Sequence, residues 1–126
     1  MAQQPLNQYK TITGVVPTTT SGIYTTRTGY TGIVLYAQVA NTGAGIGTVS
    51  FYHRRETRSQ TGITTEDNEI LYEIKIPPND ALVLLDGKLV LEKTALKTDG
   101  IRLVGISTSN PNHLKYTISI LETLNQ

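Results

Sequence analysis

The segments that could do chemistry are few. His53 and His113 are the only imidazoles in the chain. A zinc site wants three or four ligands at short spacings, and neither histidine has a His or Cys beside it. Both are expected to be solvated. Glu66-Asp67-Asn68-Glu69 offers carboxylate oxygens. Calcium needs six to eight oxygens, usually around a glycine-directed loop of alternating acids, and that order is absent, so a solvated turn is expected. A carboxylate pair would serve glycoside hydrolysis only across a cleft. No aromatic platform accompanies these acids, and there is no Trp. Gly43-Ala44-Gly45-Ile46-Gly47 has the look of a phosphate loop. Such loops work by aiming backbone N–H groups and a helix N-terminus at the anion. Here a β-like segment follows and the Lys-Ser/Thr ending is missing, so the glycines are read as a hairpin turn. No G-x-S-x-G elbow occurs, so serine hydrolysis has no support.

One basic run remains, His53-Arg54-Arg55-Glu56-Thr57-Arg58. Arginines meet phosphates and carboxylates with a planar fork. Glu56, Glu66 and Asp67 offset most of this charge, and nucleic-acid binding wants more cations interleaved with aromatics. A protein-contact loop or simply a solvated loop is expected, the two weighing equally. The candidate contact residues are Arg54, Arg55 and Arg58 in this loop, with Gln8, Tyr9 and Lys10 in an N-terminal arm. No catalytic, cofactor-binding or metal-binding residue is assigned. A glycan-binding sandwich, the alternative binding class, would need exposed aromatics. Tyr24, Tyr30, Tyr36 and Tyr52 are the ones it would use.

The elements that must position these residues are strands. Alternation of apolar and polar residues marks a strand packed mainly on one side. In Gly32 to Ala40, Ile33, Leu35, Ala37 and Val39 share a face. Val49 and Phe51 lead a second strand, joined to the first as a hairpin by the glycine-rich loop. His53 to Asn68 is a long polar loop. Glu69 to Ile76 alternates, with Ile70, Tyr72, Ile74 and Ile76 on one side. Ala81 to Leu85 is a short strand closed by Asp86-Gly87, and Leu89 to Glu92 returns; Leu89, Leu91 and Leu96 would line a strand or a helical turn, with strand favoured. Thr98-Asp99-Gly100 reads as a turn before a strand carrying Ile101, Leu103 and Gly105. Ser107 to Asn112 is a loop. Leu114, Tyr116, Ile118 and Ile120 align in the last strand. Tyr9 to Thr13 also alternates, as an edge strand or an extension that pairs with a neighbour would.

These runs predict an all-β, antiparallel β-sandwich of about eight strands, jelly-roll or Ig-like, in a single domain. Residues 1–13 form the arm with a candidate first strand, and residues 14–126 the sandwich. The composition agrees: Thr, Val, Ile and Tyr suit pleated, half-buried surfaces. A chain of 126 residues fits one domain of ordinary size. With no cysteine there is no disulfide framework. A net charge of +1 shows no basic excess in bulk, such as a nucleic-acid binder usually carries. No basic-then-apolar leader opens the chain, and no apolar run nears the roughly 20 residues that span a bilayer. A soluble chain made and kept in a cytoplasm, or exported only as part of something larger, is expected, with no cofactor and no small-molecule substrate.

Ile23-Tyr24-Thr25, the Gly-Ile-Val-Leu-Tyr strand running to Asn41, Thr48 to His53, Tyr72-Glu73-Ile74-Lys75-Ile76-Pro77-Pro78, the Leu-rich Leu82 to Leu91, Asp99-Gly100-Ile101-Arg102-Leu103 and Ile118-Ser119-Ile120-Leu121-Glu122 together form a pattern spanning nearly the whole chain. It resembles the small β-sandwich virion proteins of tailed bacteriophages, especially marine and cyanobacterial phages. The resemblance implies a non-enzymatic structural part of the particle. It would sit in the virion after synthesis in the host cytoplasm, in multiple copies, against other virion proteins of the capsid, neck, tail or baseplate. Capsid decoration, or cement, is slightly favoured.

Overall fold

A computed structural model describes residues 7–107 and 113–124. The strands are β1 (Asn7–Val15), β2 (Ser21–Thr25), β3 (Tyr30–Asn41), β4 (Gly47–Ser59), β5 (Gly62–Ile76), β6 (Asp80–Leu91), β7 (Lys97–Ser107) and β8 (Leu114–Leu124). They form two four-stranded sheets, ordered β1-β8-β3-β6 and β2-β7-β4-β5, with antiparallel pairing throughout. This is the double Greek-key order of a jelly roll, which decides between the two sandwich types expected. No helix among the described residues is long and apolar enough to cross a membrane.

The core lies between the sheets. Val34, Val39, Phe51, Leu91, Ile101, Leu103, Ile118 and Ile120 are all fully buried there. Ile101 and Leu103, and likewise Leu114, Ile118 and Ile120, point inward as their alternation requires. Phe51 is the only phenylalanine in the chain, and burial of its ring makes it the largest single apolar contributor to the core.

Four local expectations are corrected, each by sheet geometry. β3 and β4 lie in different sheets, so Gly43 to Gly47 carries the chain across the sandwich instead of closing a hairpin. The crossing is fixed by Asn41, whose side-chain amide donates to Gly45 O at 2.8 Å and to Ile76 O at 3.0 Å, while Gly43 N–H donates to its Oδ1. The segment His53 to Asn68 is not a loop: β4 and β5 continue through it as a ladder from Tyr52↔Glu69 to Ser59↔Gly62. Thr98-Asp99-Gly100 is strand, not turn, because Asp99 pairs with Arg55 and Gly100 with Arg54. A Cβ at Gly100 would stand 2.6 Å from Tyr24 O, so only glycine lets β2 lie this close. Asp86-Gly87 does not end a strand either. β6 runs through it, and the register against β3 slips there, with Gly87 at φ 145.

Bulges also break two predicted faces. The pairing of β3 shifts between Val34 and Tyr36, so Val34, Ala37 and Val39 are buried while Ile33 and Leu35 turn outward. In β5 the pairing shifts between the partners of Val49 and Phe51, with Glu73 at φ 50, and Tyr72 is expelled to 57% exposure. A bulge adds one residue to one strand, and every side chain beyond the insertion then faces the opposite way.

Candidate protein-contact surfaces

Two buried acids organise one end of the sandwich. Asp99 on β7 is fully buried. Arg55 on β4 grips it with both fork nitrogens, Nε to Oδ1 and Nη2 to Oδ2, each at 2.8 Å. The Glu92 amide donates to Oδ2 at 2.8 Å, and His53 Nε2 stands 3.3 Å from the same oxygen. Burial by itself would raise the Asp99 carboxyl. The hydrogen bonds from Arg55, the Glu92 amide and His53 outweigh that and hold it below the ordinary carboxylate range. Arg55 also donates to Glu92 Oε2 at 2.6 Å. His53 is therefore a half-buried partner of an acid, not the solvated imidazole its sequence context suggests.

Glu122 on β8 is the second buried acid. Tyr24 Oη donates to Oε2 at 2.5 Å, and Oε1 takes Arg27 Nε at 3.1 Å and Lys10 Nζ at 3.2 Å. Burial would raise this carboxyl too. The Tyr24 and Lys10 hydrogen bonds, with the charges of Lys10 and Arg27, hold it low. Tyr24 is pushed the other way, far above an ordinary phenol, by burial and then by its bond to Glu122. Thr26 joins the Asp99 cluster, its hydroxyl donating to Asp99 O at 2.9 Å and lying 3.2 Å from Glu92 O. Arg27 lies 3.8 Å over the Tyr30 ring and donates to Gln8 Oε1 at 2.9 Å.

The candidate contact residues fall into two groups. Gln8 and Lys10 are drawn into the Glu122 cluster, while Tyr9 between them points outward at 75% exposure. β1 pairs with β8 of its own chain through all of Asn7 to Val15, so the arm boundary at residue 13 falls inside a strand. Residues 1–6 lie outside the described residues. Arg55 faces inward onto Asp99, while Arg54 faces outward and pairs with Asp67 at 2.8 Å. Asp67 also meets Arg102 Nη1 at 3.6 Å. Arg58 is exposed near the hairpin tip, and its amide donates to Leu96 O at 2.7 Å.

The β4–β5 hairpin is the most open part of the molecule. Every residue from Gly62 to Glu69 is exposed, so neither face of this half of β5 is covered. Under it lies a cleft of about 560 Å³, bounded by Glu56, Arg58 and Ile63 of the hairpin, Thr28 and Gly29 after β2, and Thr94 to Leu96 after β6. Ile63 and Leu96 are 57% and 61% exposed, an apolar pair beside the hairpin tip. Among the described residues no group of three or more His, Cys, Asp or Glu is placed to hold a metal. Of the four tyrosines considered for glycan stacking, Tyr30 is buried, Tyr24 is bonded to Glu122, and Tyr36 and Tyr52 are half-buried. Two other tyrosines, Tyr9 and Tyr72, are exposed.

Asp99 and Glu122 are not among the residues singled out from sequence. The signal is present all the same: Asp99 continues the inward series of Ile101 and Leu103, and Glu122 that of Ile118 and Ile120. The same period-two rule, carried one step past the apolar residues, places both acids indoors.

No family model matches the chain, and no curated protein matches it. Among solved structures, a chain of the disulfide-linked pili of Bacillus endospore appendages aligns over 94% of this chain and 88% of its own length, at 16% identity and a TM-score of 0.43. A chain of the IBDV viral particle aligns over 96% of this chain and 32% of its own length, at 9% identity and a TM-score of 0.48. Both scores are too low to define a shared topology. What defines the class is the strand order itself: an eight-stranded, all-β jelly-roll sandwich.

Proposed function

We propose that this chain is a non-enzymatic structural component of a tailed-bacteriophage virion. It binds neighbouring virion proteins, as a capsid decoration or cement protein in preference to a neck, tail or baseplate part. The observation that carries the reading is the β4–β5 hairpin. Eight consecutive residues, Gly62 to Glu69, are exposed on both faces, yet the hairpin is rooted by the Arg55–Asp99 fork in the rigid interior. An exposed, polar strand held in a fixed ladder suits contact with a protein neighbour, where fixed geometry limits the ordering cost of binding. The titratable groups nearest the interior are spent on structure: His53, Asp99, Glu122 and Tyr24 hold strands to one another. The phage assignment rests on the sequence pattern running from Ile23 to Glu122, and the jelly roll is a fold used by capsid proteins.

Quantitative mass spectrometry of purified particles tests the proposal. The chain should be present in many copies per particle, and particles assembled without the Gln60 to Thr65 hairpin tip should carry less of it. Absence of the chain from particles would sink the reading.

A further inference from the structure

The four edge strands of the sandwich are not alike. β2 is five residues long and its register slips between Gly22 and Tyr24. β5 carries a bulge at Glu73 and a series of outward charges. β6 is bulged twice and carries Asp86 and Lys88. Short length, bulges and charge are the devices by which edge strands avoid pairing with other chains. β1 is neither short nor bulged. Its register to β8 is unbroken over nine residues. Its one charge, Lys10, is turned inward onto Glu122.

The free hydrogen-bonding groups of this edge can be assigned. Val16 N–H donates to Leu114 O at 2.8 Å. Antiparallel pairing alternates, so even-numbered residues of β1 bond β8, and the N–H and C=O of Tyr9, Thr11 and Thr13 face away from it. Above this edge ends an apolar row across the outer face of the sheet, Tyr9–Leu121–Ile33–Val90, in register on all four strands.

We infer that β1 is the pairing edge for a second copy of this chain, joined antiparallel across a two-fold axis at Thr11. That register is the one that pairs all nine residues of the strand. It places Tyr9 opposite Thr13 of the second copy, and Lys10 opposite Ile12, so no like charges oppose. An isologous contact of this kind needs a self-complementary surface, and an uncharged, regular edge is one. The two β1 sheets merge into a continuous eight-stranded sheet. For its biological use this pairing rests on the virion-subunit reading; its geometry does not.

Sedimentation of the full chain over a concentration series tests it. The wild type should form a dimer. Thr11→Lys, which sets lysine against lysine at the axis, should weaken the dimer at least about tenfold while circular dichroism stays unchanged. An equimolar mixture of Thr11→Lys and Thr11→Glu should restore association. If Thr11→Lys fails to fold, Thr11→Glu alone serves the same purpose. A wild type that stays monomeric to millimolar concentration overturns the inference, as does a dimer indifferent to Thr11→Lys or a mixture that does not reassociate. A dimer in solution with no chain in particles would remove the virion reading and leave this one standing.

Discussion

β1 and the β4–β5 hairpin are both candidate contact elements, and each is tied to a buried acid, but in opposite ways. The hairpin is anchored within its own sheet: Arg55 on β4 grips Asp99 on the adjacent β7, with two hydrogen bonds from one guanidinium. β1 is anchored through Glu122, whose donors come from separate places, Lys10 on β1, Tyr24 on β2 and Arg27 beyond it. The first clamp concentrates its strength in one side chain, and the second spreads it over three. A concentrated clamp fixes the hairpin to β7 at one point. A distributed one ties an edge strand to the opposite sheet while leaving that edge regular and free of outward charge.

The largest expected effect breaks the concentrated clamp. Arg55→Ala leaves Asp99 buried with only the Glu92 amide and His53, and should cost about 3–5 kcal/mol of unfolding free energy, read by urea denaturation. Lys10→Met removes one donor of three from Glu122 and should cost about 1 kcal/mol. Equal losses would show that the two clamps are not built differently. Acid should weaken both. Each carboxyl is held below its ordinary value in the folded protein. Its contribution is therefore complete above the unfolded carboxylate value of about 4 and is lost as pH falls through the lower folded values. The urea midpoint should be flat above about pH 5 and fall below about pH 4, with a shallower fall in Glu122→Gln. A midpoint that holds level through that range would refute the role of both acids. The smallest effect is expected at the outer neighbour of Arg55. Arg54 pairs with a half-exposed Asp67, and Arg54→Ala should change stability by less than about 1 kcal/mol.

Arg54 and Arg55 show where sequence reading reaches its limit. Adjacent in the chain and chemically identical, they belong to opposite faces of β4, and only the register to β7 says which one meets Asp99. The same holds for β3. Its alternation is legible as strand, but the bulge near Leu35 reverses the buried face, because an inserted residue has no mark in the apolar pattern. The hairpin reads as a loop because Gly62 to Glu69 has no buried face to alternate against. Conversely, β7 and β8, unbroken and packed on one side, carry their inward residues openly in the sequence.

The all-β class, the sandwich and most of the core are legible in the amino-acid sequence, since period-two patterning and β-branched composition act residue by residue. Tertiary structure alone decided which strands share a sheet, where the bulges fall and which charges go indoors. Those depend on pairings between distant segments, β1 with β8 above all, and no local window of the chain contains both partners.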